Sequence, residues 1–164
     1  MLTHSKLVER LEKMNDRICA ASAVTVEFMS DFVSTACDRL PMLDRAGKAA
    51  RIRGLVESGA WTDTALALVE IELPRWTLRR LVLDEGKWLC SLSKQVNLPL
   101  GLDDSVDASH ELLPLAILSA LVEARRSAIA APQSSPTVPL VRSAPGVAPS
   151  PDNVFCVVSC DNFN

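Results

Sequence analysis

Between Trp76 and Ser93 the chain carries two runs of alternating residues separated by a turn signal. Trp76, Leu78 and Val82 alternate with Thr77, Arg79 and Leu81; after Asp84-Glu85-Gly86, Trp88, Cys90 and Leu92 alternate with Leu89, Ser91 and Ser93. A period of two with Gly closing the gap predicts a β-hairpin. Asp84-Glu85-Gly86 fits a three-residue loop, a type I turn followed by Gly in the left-handed region. That loop sets Val82 opposite Trp88, Arg80 opposite Cys90 and Leu78 opposite Leu92. One face of the ribbon is then largely apolar and rich in tryptophan. A lone hairpin is marginal in water, so helices from elsewhere in the chain have to cover that face.

Helical spacing supplies them. Leu66, Val69 and Leu73 recur on one face, with Thr62 as the expected N-cap and Trp61 and Leu66 spaced as a hydrophobic staple. Pro74 ends that helix at Leu73. Upstream, Asp44 is the expected cap of a helix to about Ser58, buried through Ala49, Ile52, Leu55 and Val56, with Gly59 as its left-handed C-terminal residue. Residues 3–40 read as helix, either one rod or two joined near Ala20–Ala23. Leu7, Leu11, Met14, Ile18, Ala21, Thr25, Phe28, Phe32 and Thr35 follow steps of four and three. Such a stripe suits a helix packed in its own domain, and suits a coiled-coil seam less well because Ala21, Thr25 and Thr35 are weak core residues. After a loop at 97–106, Asp107 or Ser109 is the expected cap of a last helix reaching about Ser127, apolar on several sides and therefore central. Pro114 is tolerated if it falls in the first turn.

The expected fold is α+β and mainly helical: helices packed on a two-stranded antiparallel β-hairpin. An N-terminal helical segment spans 1–43 and an α-α-β-β-α core domain 44–129. From 130 onwards the composition changes. Six of the ten prolines lie between Ala130 and Pro151, and Arg142 is the only charge there. Such a segment buries too little apolar surface to offset its ordering entropy, so 130–164 reads as a disordered tail. Val154–Val158 is briefly strand-like within it.

A net charge of −3 over 164 residues is not that of a molecule built to coat nucleic acid. Lys6, Glu9, Arg10, Glu12 and Lys13 interrupt the N-terminal apolar residues, so no signal peptide is expected. The longest apolar run, Leu112–Val122, is far short of a membrane span. Five cysteines, an odd number without a CxxC, suit reduced thiols and a cytoplasmic setting. Cys19, Cys37 and Cys90 read as small core hydrophobes. No metal site is expected from His4 and His110, which are far apart, and Cys156 and Cys160 form only a sparse tail pair. There is neither a P-loop nor a GxGxxG, so no cofactor is expected.

Three functional readings remain. The order helix 44–58, tight turn, helix 62–73, hairpin resembles a winged helix-turn-helix, a DNA-binding architecture. Against it, the helix that would enter the groove carries Asp63, Glu70 and Glu72 and no Lys, Arg, Asn or Gln to donate to bases or phosphates. A thiol hydrolase would pair Cys90 with His110, oriented by Asp103, Asp104 or Asp107. The third reading is a non-enzymatic protein-interaction or regulatory module. Its candidate interaction surface is Arg45, Lys48, Arg51 and Arg53 with the hairpin's Arg79 and Arg80, and its partner is another protein or a second copy meeting the N-terminal helix. This reading fits best, because no polar catalytic constellation stands out.

Overall fold

The computed structural model describes residues 4–40, 42, 47–95 and 104–130. The protein is α+β, with five helices and a three-stranded antiparallel sheet among the described residues. The elements in order are α1 (His4–Ala20), α2 (Val26–Ala36), α3 (Lys48–Glu57), α4 (Trp61–Glu72), β1 (Thr77–Asp84), β2 (Lys87–Ser93), β3 (Ser105–His110) and α5 (Leu113–Ala130). The expected tail and its strand-like Val154–Val158 lie outside the described residues, as do Asp44 and Arg45.

The segment expected to be one rod or two holds two helices, α1 and α2. The break falls at Ala21–Thr25, where Thr25 is extended and its Oγ1 accepts the Phe28 N–H at 3.1 Å, capping α2. The apolar stripe of α1 faces inward: Leu11, Met14 and Ile18 are buried. They are packed into the common core, with α1 lying on α5, and so are not offered to a second chain as a seam.

α3 begins at Lys48, later than Asp44 implied, after Gly47 in the left-handed region. It ends as expected, with Gly59 left-handed at φ 71°. The Gly59 N–H donates to Val56 O and the Ala60 N–H to Leu55 O, a complete Schellman closure. That closure delivers Ala60, not Thr62, to the N-cap of α4. The Ala60 carbonyl accepts both the Thr64 N–H and the Thr64 hydroxyl, and no side chain caps the start of α4. α4 stops at Glu72, just before Pro74.

The hairpin differs from expectation in its turn and register. The connection is a two-residue one, with Asp84 paired to Lys87 and both Glu85 (φ 46°) and Gly86 (φ 80°) left-handed. Positive φ at both positions is the type I′ signature, whose twist matches that of the strands. Leu83 therefore faces Trp88, Leu81 faces Cys90 and Arg80 faces Ser91. A bulge between Leu78 and Arg80 absorbs one residue and restores Leu78 opposite Leu92. The extra residue explains why pairing at the open end matched expectation while the turn end did not.

The third strand, β3, occupies what was expected to be the end of a loop and the cap of the last helix. Val106, Ala108 and His110 alternate with Ser105, Asp107 and Ser109, and β3 pairs antiparallel with the far edge of β2. The central strand is thus β2. α5 starts after His110, with Pro114 in its first turn.

α5 organises the core. It packs on β2 and β3, and also on α1 and α4. Leu115, Ile117, Leu118, Leu121 and Val122 are fully buried along it, accounting for its apolar character on several sides. Trp76 is buried, with the Lys94 ammonium 4.9 Å from the centre of its ring; Trp88 is half-buried against the core. The tryptophans and the β2 residues of the ribbon's apolar face are therefore covered, whereas Leu78 and Leu83 of β1 stay exposed. Among the described residues, no helix is long and apolar enough to cross a membrane.

Candidate functional site

α2 divides its apolar residues between two directions. Met29, Phe32 and Ala36 point into the core. Val26, Ser30 and Val33, spaced by four and three, make a second stripe beside it. α3 presents a matching stripe of Ala49, Ile52, Arg53, Val56 and Glu57. Between the two helices, with Leu40 at its base, lies an open groove of about 320 Å³. Its lining is chiefly apolar, and Ser30, Arg53 and Glu57 are its polar members. Val26 is 43% exposed at its mouth, where a solvent-facing valine at a helix start has no packing role of its own.

The outer face of α3 is cationic. Lys48, Arg51 and Arg53 are exposed, and none forms an ion pair among the described residues. Arg53 belongs to both surfaces, so the charge begins at the rim of the groove.

The hairpin arginines line a different groove. Arg79 and Arg80 share the outer face of the sheet with Leu89, Ser91 and Asp107, where the Ser91 hydroxyl donates to Asp107 Oδ1. Of the six-residue surface read from the sequence, Lys48, Arg51 and Arg53 lie on α3 and Arg79 and Arg80 on β1, while Arg45 lies outside the described residues.

α4 is buried through Thr64, Ala65, Ala67, Leu68, Val69, Ile71 and Glu72. Its exposed positions include Asp63 and Glu70, so the helix that a winged-helix protein inserts into DNA here shows acids to solvent.

Cys90 and His110 lie on adjacent strands and on the same face, Cys90 opposite Ala108 and His110 opposite Trp88. Both ring nitrogens are engaged by backbone. The Leu112 N–H donates to Nδ1 at 3.0 Å, and Nε2 lies 3.1 Å from Ile18 O, which sets it as the protonated nitrogen. His110 thereby clips the start of α5 to the end of α1. Cys90 is fully buried; desolvation, reinforced by the charge of Asp107, pushes its thiol up to about 12. A thiol so held is protonated at neutral pH, the opposite of what a nucleophile needs.

A polar cluster that sequence reasoning missed lies where α2, α4 and α5 meet. The buried carboxylate of Glu72 accepts the backbone N–H groups of Arg39 (3.1 and 3.2 Å) and Leu40 (2.9 Å). Arg125 Nη1 lies 3.6 Å from Glu72, and its Nη2 donates to Asp38 at 2.6 Å. Arg125 also donates to the Ala36 carbonyl at the end of α2. Each acid is matched by a donor, so the cluster is a fixed strut under Leu40, which floors the α2–α3 groove. Its one sequence signal is an acid, Glu72, set between Ile71 and Leu73 on an apolar helix. A larger cleft of about 560 Å³ opens nearby between Arg39, Trp76 and Lys94. There Lys94 is held by Asp104 at 3.3 Å and lies over the Trp76 ring. In the α2–α3 groove, by contrast, Ser30, Arg53 and Glu57 have no side-chain hydrogen bond or ion pair among the described residues.

Among the described residues, no three of His, Cys, Asp or Glu converge as a metal site. Compared with known protein families, curated proteins and solved structures, the chain matches none.

Proposed function

We propose that this protein is a small non-enzymatic interaction module that binds an amphipathic helix of a partner protein in the α2–α3 groove. The observation that carries the reading is an open apolar channel with the unpaired Arg53 at its rim, on a helix that exposes two further unpaired cations, Lys48 and Arg51. Helix-in-groove recognition places apolar anchors at i, i+3 or i+4 and i+7 into such a channel. The charges of Lys48, Arg51 and Arg53 then favour a ligand with Asp or Glu beside its anchors, and the like charge repels basic helices. The Glu72–Arg125 strut holds Leu40 and the end of α2 in place, which lowers the ordering cost of binding.

The test is selection of helical peptides from a display library against the whole protein. Enriched peptides should carry apolar anchors at helical spacing with acidic neighbours, and should lose binding to Val26→Asp. Val26 begins α2, where an aspartate suits the helix dipole, so the variant keeps its fold. Enriched peptides that bind Val26→Asp and Ser30→Arg as well as the unaltered protein would place recognition elsewhere.

A further inference from the structure

β1 is an edge of the sheet, and the helical layer does not extend beneath it. α5 packs on β2 and β3, while the main packing of β1 is through β2. Among the described residues no strand pairs with its outer edge. Leu83 is 55% exposed and Leu78 40%, two large apolar side chains left on one rim of an otherwise covered ribbon. Exposed edges of this kind are commonly blunted by charge, by proline or by a bulge. Here the bulge sits at one end, next to Arg80, and leaves Arg80–Asp84 regular.

Those five residues are complementary to themselves. A two-fold axis through Val82, perpendicular to the sheet, sets Val82 beside its own copy. Leu81 then falls opposite Leu83 of the second copy and Arg80 opposite Asp84. Faces agree as well as sequence. Leu81 and Leu83 pair with Cys90 and Trp88 on the core side, whereas Arg80 and Asp84 pair with Ser91 and Lys87 on the outer side. The apolar pairs thus continue the covered face and the ion pairs lie toward solvent. Shifting the axis to Leu81 would set Arg80 against Val82 and Leu78 against Asp84, losing both matches. Cross-strand pairs of opposite charge favour a register and like pairs oppose it.

We propose that β1 pairs antiparallel with β1 of a second copy of this chain, centred on Val82, to form one continuous six-stranded sheet. The surface is separate from the α2–α3 groove, and the dimer leaves that groove open.

A concentration series of the full chain by sedimentation equilibrium tests it. The expected result is a reversible dimer. Arg80→Asp and Asp84→Arg, each at an exposed position, should each weaken it about tenfold, since each creates like-charge contacts on both sides of the axis. The double variant Arg80→Asp/Asp84→Arg restores opposite charges in this register alone, and should return the affinity to near its original value. A monomer at all concentrations up to about 1 mM would overturn the proposal. So would a dimer indifferent to both single reversals. A monomer whose Arg80–Asp84 amides all exchange slowly would also overturn it, by showing the edge covered by another segment of the same chain.

Discussion

Glu72 Oε1 accepts the backbone N–H of Leu40 at 2.9 Å, across a sequence separation of 32 residues. The same carboxylate receives the Arg39 N–H and faces Arg125. A buried carboxylate is tolerable only when its oxygens are saturated in this way. Glu72→Ala would leave the Arg39 and Leu40 amides without their acceptor and remove one of the charges facing Arg125. It should destabilise the fold by about 3–5 kcal/mol, with Glu72→Gln losing less because its carbonyl oxygen still accepts one amide. Urea unfolding of the three proteins checks both the size and the order.

The thiols make stability depend on alkaline pH. Burial pushes Cys90 up to about 12, and burial with the charges of Glu72 and Asp38 also pushes Cys37 upward. Because the folded thiols hold their protons more tightly than unfolded ones, the contribution is complete below about pH 9 and is lost as pH rises toward about 12. The slope should approach about 1.4 kcal/mol per pH unit for each thiol, the value of one proton. Replacing Cys90 by Ala should flatten the pH profile of the urea midpoint by one proton's worth. At pH 8, mass spectrometry after iodoacetamide should find the exposed Cys19 labelled and Cys90 untouched until the protein unfolds.

The type I′ turn predicts opposite effects at neighbouring positions. Glu85 adopts φ 46°, a conformation that β-carbons disfavour and that Asn and Gly accept. Glu85→Asn should therefore raise stability by about 0.5–1 kcal/mol. Gly86→Ala should cost about 1 kcal/mol, wholly through backbone strain, because nothing lies within 4 Å of an added β-carbon. Thermal melts of the two variants should move in opposite directions.

Charge on α3 should act on the rate of capture more than on its lifetime. Lys48→Glu with Arg51→Glu removes exposed cations of α3 that lie outside the groove lining. Association of an acidic helical peptide should slow about tenfold at low salt, with dissociation nearly unchanged, and the difference should shrink in 0.5 M salt. Stopped-flow fluorescence separates the two rates.

Long, strongly patterned elements were legible in the sequence, and short or compensated ones were not. The stop of α4 at Pro74, the left-handed Gly59 and the covered tryptophan face all follow from local chemistry that no distant residue alters. β3 escaped because Ser105–His110 is short and half polar; its strand character comes from pairing with β2, a distant influence invisible to local propensity. The register near the turn escaped because a two-residue and a three-residue loop suit the same Asp-Glu-Gly, and the bulge at Arg79 then conceals the choice at the other end. The groove was half legible. Ile52 and Val56 were expected to be buried and the cations exposed, but the stripe of Val26, Ser30 and Val33 cannot be told from a core face until α3 is seen to leave it open. Glu72 shows the same limit, because an acid on an apolar helix is explained only by the amides that reach it from another element.

The hold of α5 on α1 has a consequence for synthesis. Ser119 reaches Asn15, and His110 reaches Ile18, across about a hundred residues of intervening chain. As the ribosome works from one end, Leu11, Met14 and Ile18 emerge long before their partners exist. A nascent chain halted before residue 113 should therefore display an unsatisfied oily helix and recruit holding chaperones, and release of α5 should end that recruitment.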